Sequence, residues 1–225
     1  MRQLTAATLQ RAVQELADRD TDLDAIVTRY GAPPLWARRP GFATLVRIIL
    51  EQQVSLAAAK TMYERLRSTI GVMEPHALHA LGIDGMRALG FTRQKSSYCL
   101  GLANAIRAGQ LDLHAVSRAD DAVGRDMLLQ LRGIGRWSVD VYYLMALRRP
   151  DVWPHGDLAL ADAVHRVKGL PERPDYVSLT GFAAQWAPWR SVAARILWHH
   201  YLSVRAPATD AINHRSGSVA ILSAR

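Results

Sequence analysis

The sequence has very little cysteine and no long apolar run. Cys99 is the single cysteine among 225 residues, so the chain cannot close an internal disulfide or provide the four cysteines of an iron–sulfur cluster or a structural zinc site. The N-terminal segment lacks the apolar region of a secretory signal, and no apolar stretch reaches membrane-spanning length. These absences favour a cytoplasmic protein that has no membrane partner.

The sequence also lacks a metal-binding pattern and an excess of acidic residues. The eight histidines show no H-E-x-x-H or comparable spacing, which argues against a catalytic metal. Lys and Arg total 28 against 20 Asp and Glu, which gives a formal net charge of +8. This excess favours a polyanionic partner such as nucleic acid, although the basic residues are spread along the chain and do not identify the partner by themselves.

Strand patterns are scarce, and most of the chain shows helical periodicity. Apolar residues recur at spacings of three and four, and Gly or Pro interrupts them at short intervals. The segment APPLWARRP at residues 32–40 cannot continue a helix and forms the first clear connector. The sequence therefore predicts an all-α fold.

The most informative segment is the turn at residues 131–137, here called the hairpin. Two predicted helices meet there across Gly133, Ile134, Gly135 and Arg136. The two glycines would let the backbone adopt strained angles and approach another body closely. Amides at the start of the second helix, together with the positive end of its dipole, suit a phosphate. Such a contact would position DNA without reading its sequence; a plain glycine-rich turn is the alternative.

Together with two other segments, the hairpin resembles the HhH-GPD superfamily of DNA glycosylases and, within it, the AlkA-type 3-methyladenine glycosylases. LRGIG at residues 131–135 is similar to their helix-hairpin-helix motif L-P-G-[IV]-G, with Arg132 in place of proline. LVRIILEQQVSLAAA at residues 45–59 looks like their helix and wedge loop. WAPWRS at residues 186–191 matches their W-x-P-W-R-S segment. The three motifs follow the family's order and extend the resemblance to most of the chain.

The resemblance implies two helical lobes with a DNA-binding and base-flipping cleft between them. A middle helical bundle with the wedge loop would form one lobe. The N-terminal helices would pack with the C-terminal lobe, which carries the hairpin and the catalytic residue. The expected ranges are 1–39 for the N-terminal helices, 40–117 for the middle bundle, 118–205 for the hairpin and catalytic lobe, and 206–225 for a loose tail.

The family also places an essential aspartate about twenty residues beyond the hairpin, in a loop rich in Pro and Gly. Asp157, in the segment WPHGDL, lies twenty residues after Trp137. By resemblance its ionised carboxylate would stabilise the oxocarbenium-like transition state of glycosidic cleavage, and orient or deprotonate the attacking water. Asp157 also suits the N-cap of a helix opening at Leu158, and one residue can serve both purposes.

A base pocket is implied by the same resemblance. Trp137 and Trp198 match aromatic positions of the AlkA-type pocket, where electron-rich faces would bind a cationic alkylated base. Val141 stands where the best-known relatives carry an aromatic residue, which widens the expected pocket. Packing of Trp137 in the core is the alternative. Bifunctional relatives carry a lysine at the position of Trp137, so the resemblance implies a monofunctional enzyme that uses water and leaves an abasic site.

The wedge loop, residues 52–55, would fill the gap left by an extruded base. Gln53 stands at the family's intercalating position and is followed by Val54 and Ser55; a helix terminus whose glutamines cap backbone groups is the alternative. The resemblance further implies a monovalent cation, Na⁺ or K⁺, on the backbone carbonyls at the hairpin. Its expected ligands are Leu129, Leu131 and Ile134. No other cofactor is expected.

The sequence therefore predicts a monomeric base-excision repair glycosylase that hydrolyses the N-glycosidic bond of alkylated bases, 3-methyladenine and related cationic purines, in double-stranded DNA. A non-catalytic helix-hairpin-helix DNA-binding module and a helical scaffold with incidental basic charge are the alternatives. Residue types do not select one base among these lesions, because the size of the pocket depends on rotamers and loop positions.

Overall fold

The computed structural model describes residues 3–205, in which twelve helices and no β-strand occur. This confirms the all-α prediction. Among those residues no helix combines the length and apolarity of a membrane span. The predicted tail 206–225 lies outside the described residues. The helices are α1 (Ala6–Arg19), α2 (Thr21–Tyr30), α3 (Phe42–Glu51), α4 (Leu56–Ile70), α5 (Pro75–Ala88), α6 (Arg93–Arg107), α7 (Leu113–Arg118), α8 (Asp121–Leu129), α9 (Arg136–Met145), α10 (Leu158–Val167), α11 (Tyr176–Ala184) and α12 (Arg190–Arg205).

Side-chain caps determine where most of these helices begin. A hydroxyl or carboxylate oxygen at the N-cap accepts a hydrogen bond from an amide of the first turn, which would otherwise have no partner. Ser55 and Gly71 cap the two ends of α4, as their residue types predict. The N-caps that accept such a bond are Thr5, Asp20, Ser55, Thr92, Asp112, Asp120, Asp157 and Asp175.

The chain divides into two compact units. Among the described residues, unit 1 comprises 3–37 and 143–205, and unit 2 is Arg38–Tyr142. Residues 118–142 therefore group with the middle of the chain, whereas the sequence placed them with the C-terminal lobe. The reason is a set of contacts that the sequence does not reveal: Gly41 N donates to the Tyr142 hydroxyl over 3.0 Å, and Gln52 Nε2 donates to the Gly133 carbonyl over 2.9 Å.

Unit 1 is organised around α12, which packs against α1, α2, α10 and α11. Most of α12 is buried from Ser191 to Trp198. Within this core the Arg195 side chain is also fully buried. Its guanidinium donates to the carbonyls of Leu35 over 2.9 Å, Ser191 over 2.8 Å and Leu144 over 2.9 Å. Burial lowers the pKa of Arg195 to about 9, so the group stays charged at neutral pH.

A second buried polar group in unit 1 is Asp20, the N-cap of α2. Its carboxylate accepts hydrogen bonds from Lys168 Nζ and from Trp186 Nε1, each over 2.8 Å. Burial acts to raise the pKa of Asp20, but the hydrogen bonds from Lys168 and Trp186 outweigh it and hold the pKa below its usual value. The indole of Trp186 is thus oriented by the carboxylate that caps α2.

Unit 2 has α3 at its centre, where it packs against α4 and α6. Apolar residues on nearly every side of α3 are buried, which is typical of a helix enclosed by neighbours. Its last residue, Glu51, is buried and forms a bidentate pair with Arg38, at 2.8 and 2.9 Å, and a third contact with Arg47 at 3.1 Å. The backbone is therefore fixed where the wedge loop begins.

Candidate active site

Asp157 is fully buried and caps α10. Its Oδ1 accepts a hydrogen bond from Leu160 N over 2.9 Å and another from Trp198 Nε1 over 3.2 Å. The capping role that its position predicts is therefore confirmed. Hydrogen bonds donated to a carboxylate stabilise its negative charge and fix its orientation. The structure thus brings together the predicted catalytic aspartate and one of the two predicted pocket tryptophans.

The loop that leads to Asp157 is held by aromatic contacts. The Trp153 ring lies 5.4 Å from that of Trp186, and the His155 ring lies 3.9 Å from that of Tyr176, measured between centroids. Gly156 then turns the chain with a φ of 65°, a left-handed conformation that glycine adopts without steric cost. These contacts define the entry of the chain into α10 and hence the place of the carboxylate.

The hairpin joins α8 to α9, and its two glycines differ. Gly133 has a φ of 91°, and a Cβ added to it would overlap the ring of Tyr98. Gly135 has no left-handed φ, and a Cβ there would meet no atom within 4 Å. The prediction that both glycines adopt strained angles is therefore wrong for Gly135. Its lack of a side chain instead leaves open space at the first turn of α9.

This contrast gives a test of the hairpin on the isolated protein. Gly133→Ala is expected to lower the free energy of unfolding by about 2–4 kcal/mol, because the substitution combines a disfavoured φ with overlap on Tyr98. Gly135→Ala, the matched control two residues away, is expected to cost less than about 1 kcal/mol. Urea-induced unfolding of the two variants measures both values. Equal losses would show that the geometry at Gly133 is not the cause.

The rest of the hairpin presents a mixed surface. Ile134 is buried, whereas Arg132, Gly135 and Arg136 are exposed. Ile134 N donates to the Leu131 carbonyl over 3.1 Å, which closes the turn. Two exposed arginines therefore lie near the open backbone at Gly135.

The wedge loop leaves α3 through an unusual backbone conformation. Gln53 has a φ of 56°, which is rare for a residue other than glycine, and its side chain is exposed. Val54 is half-buried, and Ser55 accepts a hydrogen bond from Ala58 N over 3.3 Å. The predicted intercalating residue thus lies at the exposed tip of a left-handed turn, and the residue after the loop starts a helix.

The predicted pocket residues are less exposed than a stacking role suggests. Trp198 is fully buried, and its indole N–H contacts Asp157. In unit 2, Val141 is fully buried, and 7% of Trp137 is exposed. Trp198 therefore orients the carboxylate in this structure, and the stacking of a base on Trp137 and Trp198 stays a prediction.

The family can be identified once these elements are in place. A family model described as HhH-GPD superfamily base excision DNA repair protein matches residues 46–188. The chain belongs to the HhH-GPD superfamily. The matched range contains the wedge loop, the hairpin and Asp157, and it ends before Trp198.

Relatives of this HhH-GPD chain are named as DNA repair enzymes. It is 27% identical to the putative DNA-3-methyladenine glycosylase YfjP of Bacillus subtilis, over 79% of this chain and 65% of the relative. It is 34% identical to a probable bifunctional transcriptional activator/DNA repair enzyme AlkA of Mycobacterium tuberculosis, over 82% of this chain and 41% of the relative. The chain therefore spans less than two thirds of the length of each of these two relatives.

Solved structures support the same HhH-GPD fold. The 3-methyladenine DNA glycosylase of Schizosaccharomyces pombe in complex with abasic DNA superposes with a TM-score of 0.76 at 25% identity, over 84% of this chain and 95% of the other. A 3-methyladenine DNA-glycosylase of Archaeoglobus fulgidus superposes with a TM-score of 0.74 at 20% identity, over 90% of this chain and 72% of the other, and at that identity shows the fold alone.

Sequence reasoning missed three residues of the HhH-GPD site region. Gln52 was predicted only as part of the wedge loop, yet its side chain contacts the hairpin. The sequence predicted no role for Lys95 and Tyr98 of α6, although Lys95 contacts the wedge loop and Tyr98 lies against Gly133. No motif identifies them, because each partner is more than thirty residues away in the sequence.

Proposed function

We propose that this chain is a monofunctional DNA glycosylase that binds double-stranded DNA as a monomer, hydrolyses the N-glycosidic bond of alkylated bases and leaves an abasic site. The observation that carries the proposal is the carboxylate of Asp157, which is buried, oriented by Leu160 N and Trp198 Nε1, and located twenty residues beyond the hairpin. Relatives named 3-methyladenine glycosylases support the choice of lesion.

Asp157 would act by stabilising charge. Cleavage of the glycosidic bond builds positive charge on the sugar, and a fixed carboxylate lowers the energy of that state. Its full burial strengthens electrostatic interactions, because little solvent screens them. Burial also favours this electrostatic role over the deprotonation of a water taken from bulk solvent.

The chemistry of the leaving group reduces the need for a general acid. Alkylation of a ring nitrogen gives a cationic purine, which departs as a neutral base without prior protonation. Electron-rich rings then serve to bind the cation, and Trp137 is the proposed contact, with Val141 leaving room beside it. Trp137 offers no amine for a Schiff base with the sugar, which is why the proposed enzyme is monofunctional.

The hairpin would hold the DNA backbone. Amides at the first turn of α9, with Arg136 beside them, suit a phosphate. Backbone carbonyls of Leu129, Leu131 and Ile134 would hold a monovalent cation, since carbonyl oxygens are suitable ligands for Na⁺ or K⁺, and its charge would attract the same phosphate. Within residues 3–205 no cluster of His, Cys, Asp or Glu suits a metal ion, so the proposal includes no catalytic metal.

Base release from methylated duplex DNA tests the proposal. We expect 3-methyladenine to appear in solution, the strand to break only after alkali treatment, and no protein–DNA adduct to form with borohydride. Trapped adducts would contradict the monofunctional assignment. Binding of DNA without any release, for every lesion in a panel of single-lesion oligonucleotides, would favour a non-catalytic DNA-binding module instead.

The hydrogen bond from Trp198 to Asp157 predicts a specific effect on catalysis. Trp198→Phe removes the indole donor and is expected to slow base release about 10-fold, the loss typical of one hydrogen bond to a charged group. Trp186→Phe is the matched control, because Trp186 is also buried and its indole also donates to an aspartate, Asp20. Both variants should lose thermal stability, but only Trp198→Phe should lose rate in single-turnover assays. A similar rate loss in both would assign the effect to folding.

A further inference from the structure

The side chain of Gln52 joins the wedge loop to the hairpin. Its Nε2 donates to the Gly133 carbonyl and to the Ser138 hydroxyl, each over 2.9 Å. Ser138 is buried in the first turns of α9. One amide group therefore contacts both the hairpin and the helix that follows it.

Lys95 of α6 holds the same loop from another direction. Its Nζ donates to the carbonyls of Leu50 and Gln52, the latter over 3.0 Å. The last carbonyls of a helix have no partner within it and carry the negative end of its dipole, so an ammonium group at that position is stabilising. Burial lowers the pKa of Lys95, and the negative charge of Glu51 opposes this shift. Lys95 thus caps α3 and fixes the first residue of the wedge loop.

Tyr98 connects α6 to the hairpin. It lies three residues after Lys95, on the same face of α6. Its ring lies against Gly133, where a Cβ would overlap it, and its hydroxyl accepts a hydrogen bond from Gln94 Nε2 over 2.8 Å. One face of α6 therefore contacts both the wedge loop, through Lys95, and the hairpin, through Tyr98.

These contacts explain the conformation of Gln53. The neighbouring residue Gln52 is held by its side chain and by its carbonyl oxygen. Next to that fixed residue, Gln53 is exposed and adopts a left-handed conformation, at a backbone cost of about 1 kcal/mol. Such strain persists where surrounding structure fixes the residue.

We propose that Gln52, Lys95 and Tyr98 are positioning residues, here called the loop-hairpin bridge, which hold the wedge loop at a fixed distance from the hairpin. This inference rests on the proposed function. When the hairpin binds the DNA backbone, the bridge places Gln53 at the gap left by the extruded nucleotide. Extrusion costs a few kcal/mol of stacking and pairing, and a loop ordered before binding fills the gap without a further entropic cost.

The test measures extrusion separately from chemistry. Lys95→Met nearly keeps the length of the side chain and removes the ammonium donor. Gln52→Leu removes the amide donor and keeps an apolar side chain of similar volume. Each is expected to slow single-turnover base release about 10- to 100-fold from a lesion paired with its normal partner, because extrusion then opposes stacking and pairing. Opposite an abasic-site analogue, where pairing is lost, the defect should shrink to about threefold or less. DNA affinity by fluorescence anisotropy should stay within about twofold.

A double-substitution experiment identifies the residue through which Lys95 acts. If Lys95 works by placing Gln53, then Lys95→Met should add little to the defect of Gln53→Ala, because coupled residues show non-additive effects. The control is Lys60→Met, which removes the same charge from an exposed site on α4 and should leave release unchanged. Additive losses, or equal defects on both substrates, would overturn the inference by assigning Lys95 a role in chemistry or folding.

A readout without catalysis separates this inference from the proposed function. With 2-aminopurine placed opposite an abasic site, insertion of the wedge loop changes the fluorescence of the probe. The wild-type chain and Lys60→Met should give the change, and Lys95→Met and Gln52→Leu should give less than about half of it at saturating protein. Absence of base release together with the full fluorescence pattern would reject the proposed function and keep the bridge. Release together with unaltered fluorescence in the variants would reject the bridge alone.

Discussion

Replacing Asp157 with asparagine is expected to slow base release about 10²- to 10³-fold, the loss typical of removing one preorganised electrostatic group from a transition state. Asparagine is nearly isosteric and keeps an oxygen that accepts the hydrogen bonds from Leu160 N and Trp198 Nε1. The substitution removes the negative charge and replaces the second carboxylate oxygen with an NH2 group. Single-turnover release from methylated DNA measures the loss, and anisotropy should show DNA affinity unchanged within about twofold.

The matched control is Asp175→Asn. Asp175 caps α11 in the same unit and accepts a hydrogen bond from Ser178 N over 2.8 Å, but its side chain is exposed. This variant should release bases at the wild-type rate. A full rate in Asp157→Asn would place the catalytic charge elsewhere, and an equal loss in both variants would reflect damage to helix caps.

A large effect on stability is also expected for Arg195→Met. Methionine fills a similar length but donates no hydrogen bond, so the carbonyls of Leu35 and Leu144 lose a buried partner. Each buried carbonyl left without a partner costs about 1–3 kcal/mol, partly offset because a charge is no longer buried. We expect a net loss of about 3 kcal/mol in the free energy of unfolding, measured with urea.

The control for that substitution lies on the same helix. Arg205 is exposed and pairs with Asp162 at 3.4 Å, and such surface pairs contribute about 0–1 kcal/mol. Arg205→Met should therefore leave the urea midpoint nearly unchanged. A small loss in both variants would mean that water reaches the carbonyls of Leu35 and Leu144 when the guanidinium is removed.

Features that depend on neighbouring residues could be predicted from the sequence, whereas contacts between distant segments could not. Helical spacing and breakers predicted the all-α fold, and the residue type at Asp157 predicted a helix cap, because a cap depends on neighbours within one turn. The hairpin was found for the same reason. Its glycines were treated alike, however, because the overlap of Tyr98 with Gly133 comes from another helix.

Buried polar contacts between distant segments were not predictable. Arg195 contacts Leu35, 160 residues away, and Lys95 contacts Gln52, 43 residues away. An arginine or a lysine in a helix is typical of an exposed face, so neither residue type indicates its partner. The position of Trp198 was not predictable for the same reason. Its match to a base pocket did not indicate that it is completely buried or that its indole N–H contacts Asp157.

Unit 1 is built from two segments of the chain, with unit 2 inserted between them. During translation α1 and α2 are synthesised before unit 2, and their packing partner α12 is synthesised after it. The apolar face of α1 includes Leu9, Val13 and Leu16. This face therefore lacks its packing partner α12 while all of unit 2 is translated. Exposed apolar surface of this kind promotes aggregation of nascent chains. Chaperone protection of the first two helices during translation is consequently expected to influence the yield of soluble protein in the cell.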